Sequence, residues 1–158
     1  MAKPKRRPDG DIVQIPLEDG SFGYGKVLPN NEVSFLDYRT TTKEFDLATL
    51  ERAANLFRVW VMHHALAPRS NWKTVASVEL SEDEKRPSTF YRKDALTGAL
   101  SFYRVNPAHP KGFETEPAGL EECKNLERAA GWEPSHIESR LLDHFMGRKN
   151  KWVEQLRL

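Results

Sequence analysis

Several features that would place a protein in a class at once are missing from this sequence of 158 residues. It has one cysteine, so no internal disulfide can form, which fits a reducing compartment. No apolar run approaches the roughly 20 residues that a membrane-spanning helix needs. No apolar segment follows the basic N-terminus, as a secretory signal would require. The sequence therefore predicts a cytoplasmic protein with no membrane partner.

An excess of charge of one sign is also missing, because the formal net charge is only +1. A protein that binds nucleic acid usually carries a basic excess on one face. Here the basic excess lies in the N-terminal tail, residues 1–9, which carries Lys3, Lys5, Arg6 and Arg7, while acidic residues are spread along the rest of the chain. We predict that this tail is flexible and solvated, and nucleic acid is not favoured as a partner.

Sequence signatures of catalysis are missing too: there is no G-x-S-x-G turn and no C-x-x-C pair. His63 and His64 are adjacent, so on a strand their rings would point to opposite faces. His136 and His144 lack the helical spacing that places two rings on one metal ion. Cys123 lies on an apolar helical stripe, which is typical of an inert core thiol. The sequence predicts a protein that is not an enzyme, with no catalytic residue, metal ligand or cofactor.

What the chain does have is a strand-rich region, predicted over residues 10–105. Apolar residues alternate in Asp11–Leu17, and the dipeptide Asp19-Gly20 then predicts a tight hairpin. Two further strands are predicted over Phe22–Leu28 and Val33–Tyr38, where Gly23 and Gly25 would leave one strand face bare. This strongly bent meander is compatible with a half-open, SH3-like barrel at the N-terminus.

Later segments of the same region predict more strands. Leu56–Met62 is almost continuously apolar, as in a strand covered on both faces, and Trp72–Leu80 is predicted to be its antiparallel neighbour. Thr89–Arg92 and Leu100–Val105 flank Thr97-Gly98 and predict another hairpin.

Residues 117–158 are predicted to be mainly helical. Leu120, Cys123, Leu126 and Ala130 recur at helical spacing before Gly131. Ser135 and Glu138 fit a capping box, and Asn150 is placed to cap a last helix, as Asp46 is for a short helix earlier in the chain. The sequence thus predicts a single α+β domain over residues 1–158, a bent antiparallel sheet with helices packed on it, mostly from the C-terminal part.

Five segments, in the same order along the chain, carry a resemblance to a known family. They are KRRPDGDIVQIPLEDGSFGYGKVLP (Lys5–Pro29), FLDYRTT (Phe35–Thr41), LFRVWVMHHA (Leu56–Ala65), ECKNLERAAGWEP (Glu122–Pro134) and GRKNKWVEQL (Gly147–Leu156). Together they resemble the immunity protein 26 family of bacterial polymorphic toxin systems. The resemblance implies an α+β immunity protein that binds the C-terminal domain of a cognate toxin, often a nuclease, in the cytoplasm of the producing cell and blocks it.

Residues for the toxin contact are chosen on physical grounds, since aromatic and arginine side chains carry most binding energy at interfaces. The candidates are Tyr24, Asp37, Tyr38, Arg39 and Trp72. Inhibitors of nucleases are often acidic, and the near-neutral charge of this chain leaves open a toxin of another kind, or inhibition away from the active site. Other readings stay open: an SH3-like nucleic-acid-binding or adaptor module, an enzyme of unrecognised type, and a scaffold with no toxin. The sequence does not indicate an oligomeric state.

Overall fold

The computed structural model describes residues 6–158 and confirms the α+β class, with strands mostly early in the chain and helices mostly late. The strands are β1 (Asp11–Pro16), β2 (Phe22–Val27), β3 (Glu32–Leu36), β4 (Asn55–Val61), β5 (Lys73–Ser77), β6 (Phe90–Lys93), β7 (Leu100–Val105), β8 (Phe113–Pro117) and β9 (Gly131–Trp132). The helices are α1 (Leu47–Arg52), α2 (Glu82–Lys85), α3 (Leu120–Cys123), α4 (Pro134–Phe145) and α5 (Lys151–Leu156). Within the described residues, the sheets do not close into a barrel.

The larger sheet has six strands in the order β5-β1-β2-β3-β4-β9. Strands β1 to β3 form the predicted antiparallel meander, which β4 extends by pairing with β3, and Gly20 makes its first turn with a φ of 86° that favours glycine. The smaller sheet has the order β6-β7-β8, which confirms the predicted hairpin of β6 and β7. Its third strand, β8, was not predicted from the sequence.

The predicted pairing of the Leu56–Met62 strand with the Trp72–Leu80 strand is wrong. Strand β5 pairs with β1, while the free edge of β4 pairs in parallel with the two residues of β9. The reason lies in the connection, a tight 3-10 turn at His63–Leu66 whose Ala65 and Leu66 are buried. After this turn the chain reaches the opposite side of the sheet, where β5 is the edge strand beside β1.

Two details of the helical prediction are also wrong. The helix that begins at Leu120 ends at Cys123, because the backbone of residues 127–129 instead pairs with β6. There it forms hydrogen bonds with both the N–H and the carbonyl oxygen of Tyr91. The capping box of Ser135 and Glu138 does not form, because the helix already begins at Pro134 with Glu133 as its N-cap, and the Glu138 carboxylate instead accepts a hydrogen bond from the Trp72 indole at 2.9 Å. The caps at Asp46 and Asn150 are confirmed.

The main core lies between one face of the larger sheet and helix α4. Its strand members include Val13, Ile15 and Leu17, as the alternation in the first strand predicts. Leu141 of α4 packs against the strand face on which Gly23 has no side chain. At Gly25, the side chains of Val33 and Phe35 lie so close to the backbone that a Cβ there would contact both. The two glycines therefore allow close packing and do not leave a groove.

The opposite face of the larger sheet carries two separate contacts. At one end Ile12, Tyr24, Leu36 and Leu50 form a second apolar cluster beneath α1. At the other end Trp60 of β4 packs against Phe90 and Tyr103 of the smaller sheet, with ring centroids 4.4 and 5.4 Å away. The larger sheet is thus covered on both faces, which leaves its strand ends and edges as the surfaces open to a partner.

A buried ion pair fastens this opposite face. The Glu32 side chain is 1% exposed and lies 2.9 Å from the Arg58 guanidinium. It also accepts hydrogen bonds from the backbone N–H and the hydroxyl of Ser88, at 2.8 and 2.7 Å. Arg58 in turn donates to the carbonyl oxygen of Arg86 at 2.9 Å. The larger sheet is therefore tied to the segment that leads into β6.

Residues 1–5 of the predicted tail lie outside the described residues. The remaining residues, 6–9, form hydrogen bonds, and those of Arg7 reach far along the chain: its backbone N–H donates to the Leu66 carbonyl oxygen at 2.7 Å, and its guanidinium donates to the Pro68 carbonyl oxygen at 3.3 Å. Arg6 pairs with Asp9 three positions later. No helix within residues 6–158 is long and apolar enough to cross a bilayer.

Candidate functional site

Four of the five predicted contact residues lie together where β3 ends. Tyr24 of β2 packs against Tyr38, with ring centroids 5.0 Å apart, and Asp37 and Arg39 flank Tyr38 in sequence. The fifth, Trp72, is not part of this group, because it packs against Phe35 in the main core beneath α4. The surface formed by Asp37, Tyr38 and Arg39 is called the β3-end surface below.

Burial divides the five candidates into two kinds. Tyr24 and Trp72 are both 0% exposed. A partner cannot touch either side chain in this fold, so they can affect binding only through the residues that they support. Asp37 is exposed, and Tyr38 and Arg39 are half-buried, so these three can contact another protein directly.

Each side chain of the β3-end surface is held by a specific neighbour. The Asp37 carboxylate lies 3.1 Å from Nε2 of His144, which reaches it from α4. The Tyr38 hydroxyl accepts the backbone N–H of Asp46 at 3.0 Å, next to the start of α1. Arg39 donates to the Asp19 carboxylate at 2.8 Å and to the Ser21 hydroxyl at 3.0 Å. The surface is thus ordered before any partner arrives, which lowers the entropy cost of binding.

No local pattern in the sequence predicts the partners of Asp37 and Arg39. His144 is 107 positions from Asp37, and only the packing of α4 on the sheet brings them together. The hairpin at Asp19-Gly20 is predicted from the sequence, but its contact with Arg39 depends on the backbone bridge between Phe22 and Thr40.

Hydrogen bonding around Asp19 makes it the most perturbed carboxyl group at this end of the molecule. The Ser21 hydroxyl, the Ser21 backbone N–H and the Arg39 guanidinium together lower the pKa of Asp19 from its usual 3.8 to about 2. All three donors favour the charged carboxylate, the hydroxyl most strongly.

We expect this low pKa to be measurable by following the Asp19 carboxyl carbon by NMR as the pH is lowered. Since the pKa in the folded protein is below that of the unfolded chain, the contribution to stability is complete above about pH 4 and is lost as the pH falls toward 2. Ser21→Ala should raise the pKa of Asp19 more than Arg39→Ala does, because the Ser21 hydroxyl is the largest cause. An Asp19 midpoint near 3.8 in the unaltered protein would contradict this assignment of the hydrogen bonds.

The histidines and the cysteine that could take part in catalysis or metal binding do not form a common site. His64 pairs with Glu133 at 3.1 Å, and the ring of His136 stacks on Trp152 with centroids 3.6 Å apart. Cys123 is buried, and burial raises the pKa of its thiol, which disfavours the reactive thiolate. Across residues 6–158, no three histidine, cysteine, aspartate or glutamate side chains converge as a metal site needs.

Comparison with known proteins gives one match. The family model described as immunity protein 26 matches residues 8–99, which span β1 to β6 and the loop after it. No curated protein and no solved structure matches the chain.

Proposed function

Because this chain belongs to the immunity protein 26 family, we propose that it binds the C-terminal domain of one cognate polymorphic toxin and blocks it in the cytoplasm of the producing bacterium. The family match is the observation that carries this proposal, since an immunity protein has a toxin as its partner. Such a protein acts by forming a stable complex, which needs an ordered surface and no catalytic group.

The β3-end surface is our candidate for the toxin contact. Its support is the combination of an exposed acid, a half-buried tyrosine and a half-buried arginine, each fixed in place by its own hydrogen bond. Tyrosine and arginine are frequent among the residues that dominate binding energy, and side chains that are already ordered lose less entropy on binding. Tyr24, directly beneath Tyr38, serves as a support and not as a contact.

The toxin's activity is the finer part of the proposal. A nuclease is the activity that the resemblance favours, but a net charge of +1 does not suit a general mimic of nucleic acid. We therefore propose that a nuclease toxin, if that is the partner, is bound away from its nucleic-acid groove.

Co-expression with the toxin domain encoded beside this gene tests the proposal. We expect host growth to be rescued, and a complex of fixed stoichiometry to be recovered by size-exclusion chromatography. Rescue without a complex would point to an indirect mechanism and so to an enzyme. No rescue and no complex, with both proteins folded, would reject the proposal for that toxin and favour an adaptor or scaffold.

Changing the β3-end surface should weaken this complex. We expect Asp37→Ala combined with Arg39→Ala to raise the Kd about 30-fold or more, which corresponds to roughly 2 kcal/mol at a dominant contact. The matched control is Glu82→Ala with Lys85→Ala, an exposed ion pair on α2 whose loss should change the Kd less than about twofold. Calorimetric titration of the inactivated toxin domain gives both values. Equal affinities for the two double variants would remove the β3-end surface from the interface.

A further inference from the structure

The smaller sheet has one closed edge and one open edge. On the β6 side, the Tyr91 backbone N–H donates to the Glu127 carbonyl oxygen at 3.1 Å, and the Ala129 N–H donates to the Tyr91 carbonyl oxygen at 2.8 Å. On the β8 side, no strand of residues 6–158 pairs with the edge. An open strand edge is a row of unused donors and acceptors on which another chain can pair.

The register of β7 and β8 shows which backbone groups of β8 are unused. At one end of the ladder the Asn106 N–H donates to the Gly112 carbonyl oxygen, and at the other end the Ala118 N–H donates to the Leu100 carbonyl oxygen. Hydrogen-bonded pairs alternate in an antiparallel ladder, so the backbones of Glu114 and Glu116 face β7. The backbones of Phe113, Thr115 and Pro117 therefore face away from the sheet.

Thr115 is the central residue of this open edge. Its side chain is exposed, and its backbone N–H has no backbone acceptor within the described part of the chain. Pro117 has no N–H to offer, so it limits the C-terminal extent of any added strand. The open edge therefore amounts to a short ladder centred on Thr115.

The β5 edge of the larger sheet has two protective features that β8 lacks. Strand β5 carries Lys73 in the strand itself, and its register against β1 shifts between Ile12 and Val13. Lysine residues and bulges are both common means of preventing unwanted strand pairing. Strand β8 is regular over its full length against β7 and contains no lysine.

The charge around β8 restricts what can pair with it. Strand β8 itself carries two glutamates, Glu114 and Glu116, and no lysine or arginine. Glu114 is bonded to Arg104 at 3.3 Å, whereas Glu116 forms no ion pair among residues 6–158. Two copies of this chain would bring like charges together along the edge, which is unfavourable, while a strand with lysine or arginine would be attracted.

We propose that the toxin domain presents an extended strand with basic side chains, and that this strand adds to the smaller sheet along β8. This inference rests on the proposed immunity function and deepens it by naming the form and charge of the partner segment. Strand β8 lies outside residues 8–99, the part that the family model matches, which is compatible with a surface that selects one particular toxin. Backbone pairing supplies affinity in this arrangement, and the glutamates supply selectivity.

Thr115→Pro tests the ladder directly, because it removes the outward N–H and leaves every hydrogen bond to β7 in place. The matched control is Thr115→Val, which keeps the N–H and the side-chain shape. With the inactivated toxin domain encoded beside this gene, we expect the full-length proline variant to bind at least tenfold more weakly and the valine variant to bind within about threefold of the unaltered chain. Glu116→Lys should also weaken binding, and raising the salt concentration should reduce the affinity of the unaltered chain.

Amide hydrogen exchange on the unaltered chain gives a second measurement that needs no variant. We expect the Thr115 amide to exchange rapidly in the free protein and to become protected in the complex. Equal binding by the proline variant together with a Thr115 amide that stays unprotected would overturn the β8 inference and leave the immunity function standing. If the unaltered chain does not bind the toxin domain at all, the proposed function fails, and this inference fails with it.

Discussion

Arg58→Ala is expected to lower the free energy of unfolding by about 3 kcal/mol, one of the two largest single losses that we expect. It would leave the Glu32 carboxylate, 1% exposed, without its cationic partner. The two hydrogen bonds from Ser88 remain, which places the loss at the lower end of the range for breaking a buried ion pair. Urea unfolding followed by circular dichroism would measure it.

The control for this prediction is an ion pair whose two side chains are exposed to solvent. Lys124→Ala on α3 removes the partner of Glu121, and these side chains are 51% and 82% exposed. An exposed pair contributes at most about 1 kcal/mol, so this variant should unfold almost as the unaltered protein does. If Arg58→Ala and Lys124→Ala lowered the free energy of unfolding by similar small amounts, the ion pair of Glu32 and Arg58 would not hold the smaller sheet to the larger one.

The second large effect is expected at the contact between α4 and the glycine-bared strand. Leu141→Ala should cost about 2–5 kcal/mol, because Leu141 is fully buried in the main core. Gly23→Ala should cost about 1 kcal/mol, because its new Cβ would lie 3.0 Å from the Leu141 Cδ1 and force that side chain to shift, while alanine offsets part of this cost by being more favourable than glycine in a strand. Each change relieves the effect of the other. Leu141→Ala removes the Cδ1 atom that the new Cβ would contact, and the alanine at position 23 partly fills the cavity that the leucine leaves.

The double variant should therefore be more stable than the sum of the two losses predicts, by about 1 kcal/mol. In that variant the contact that remains is 3.9 Å, between the Cβ at position 23 and the Cβ at position 141, an ordinary van der Waals distance. Gly25→Ala is the control, because its Cβ would meet Val33 and Phe35, which Leu141→Ala does not relieve. Additive losses for Gly23→Ala and Leu141→Ala would show that α4 shifts to accommodate either change.

Features of the fold that depend on neighbouring residues could be predicted from the sequence. The first hairpin follows from alternating apolar residues around Asp19-Gly20, and the caps at Asp46 and Asn150 follow from side chains that bond the adjacent backbone. The resemblance to immunity protein 26 was carried partly by these segments, and the family match confirms it.

Features that depend on distant partners could not be predicted. The Leu120 helix is stopped by backbone bonds to Tyr91, about 35 residues earlier in the chain, and no local signal marks that stop. Strand β8 has the sequence FETEP, whose acidic residues and proline do not favour a strand. It forms a strand because it pairs with β7.

The same distinction applies to the candidate site. Asp37, Tyr38 and Arg39 were chosen because their side-chain chemistry suits an interface and they follow a predicted strand. The burial of Tyr24 and Trp72 could not be read from the same pattern, since an aromatic residue beside glycines is compatible with both a surface and a core. Which of the five can touch a toxin is decided by the packing of α4 and α1 on opposite faces of the sheet.

The parallel pairing of β9 with β4 has a consequence for the order of events during synthesis. The meander is complete once residue 61 has left the ribosome, but its last edge and its main apolar face wait for β9 and α4, about 70 residues later. Until then the nascent chain exposes both an unpaired strand and the surface that Leu141 will cover. The main core can therefore close only after the C-terminal part of the chain has been made.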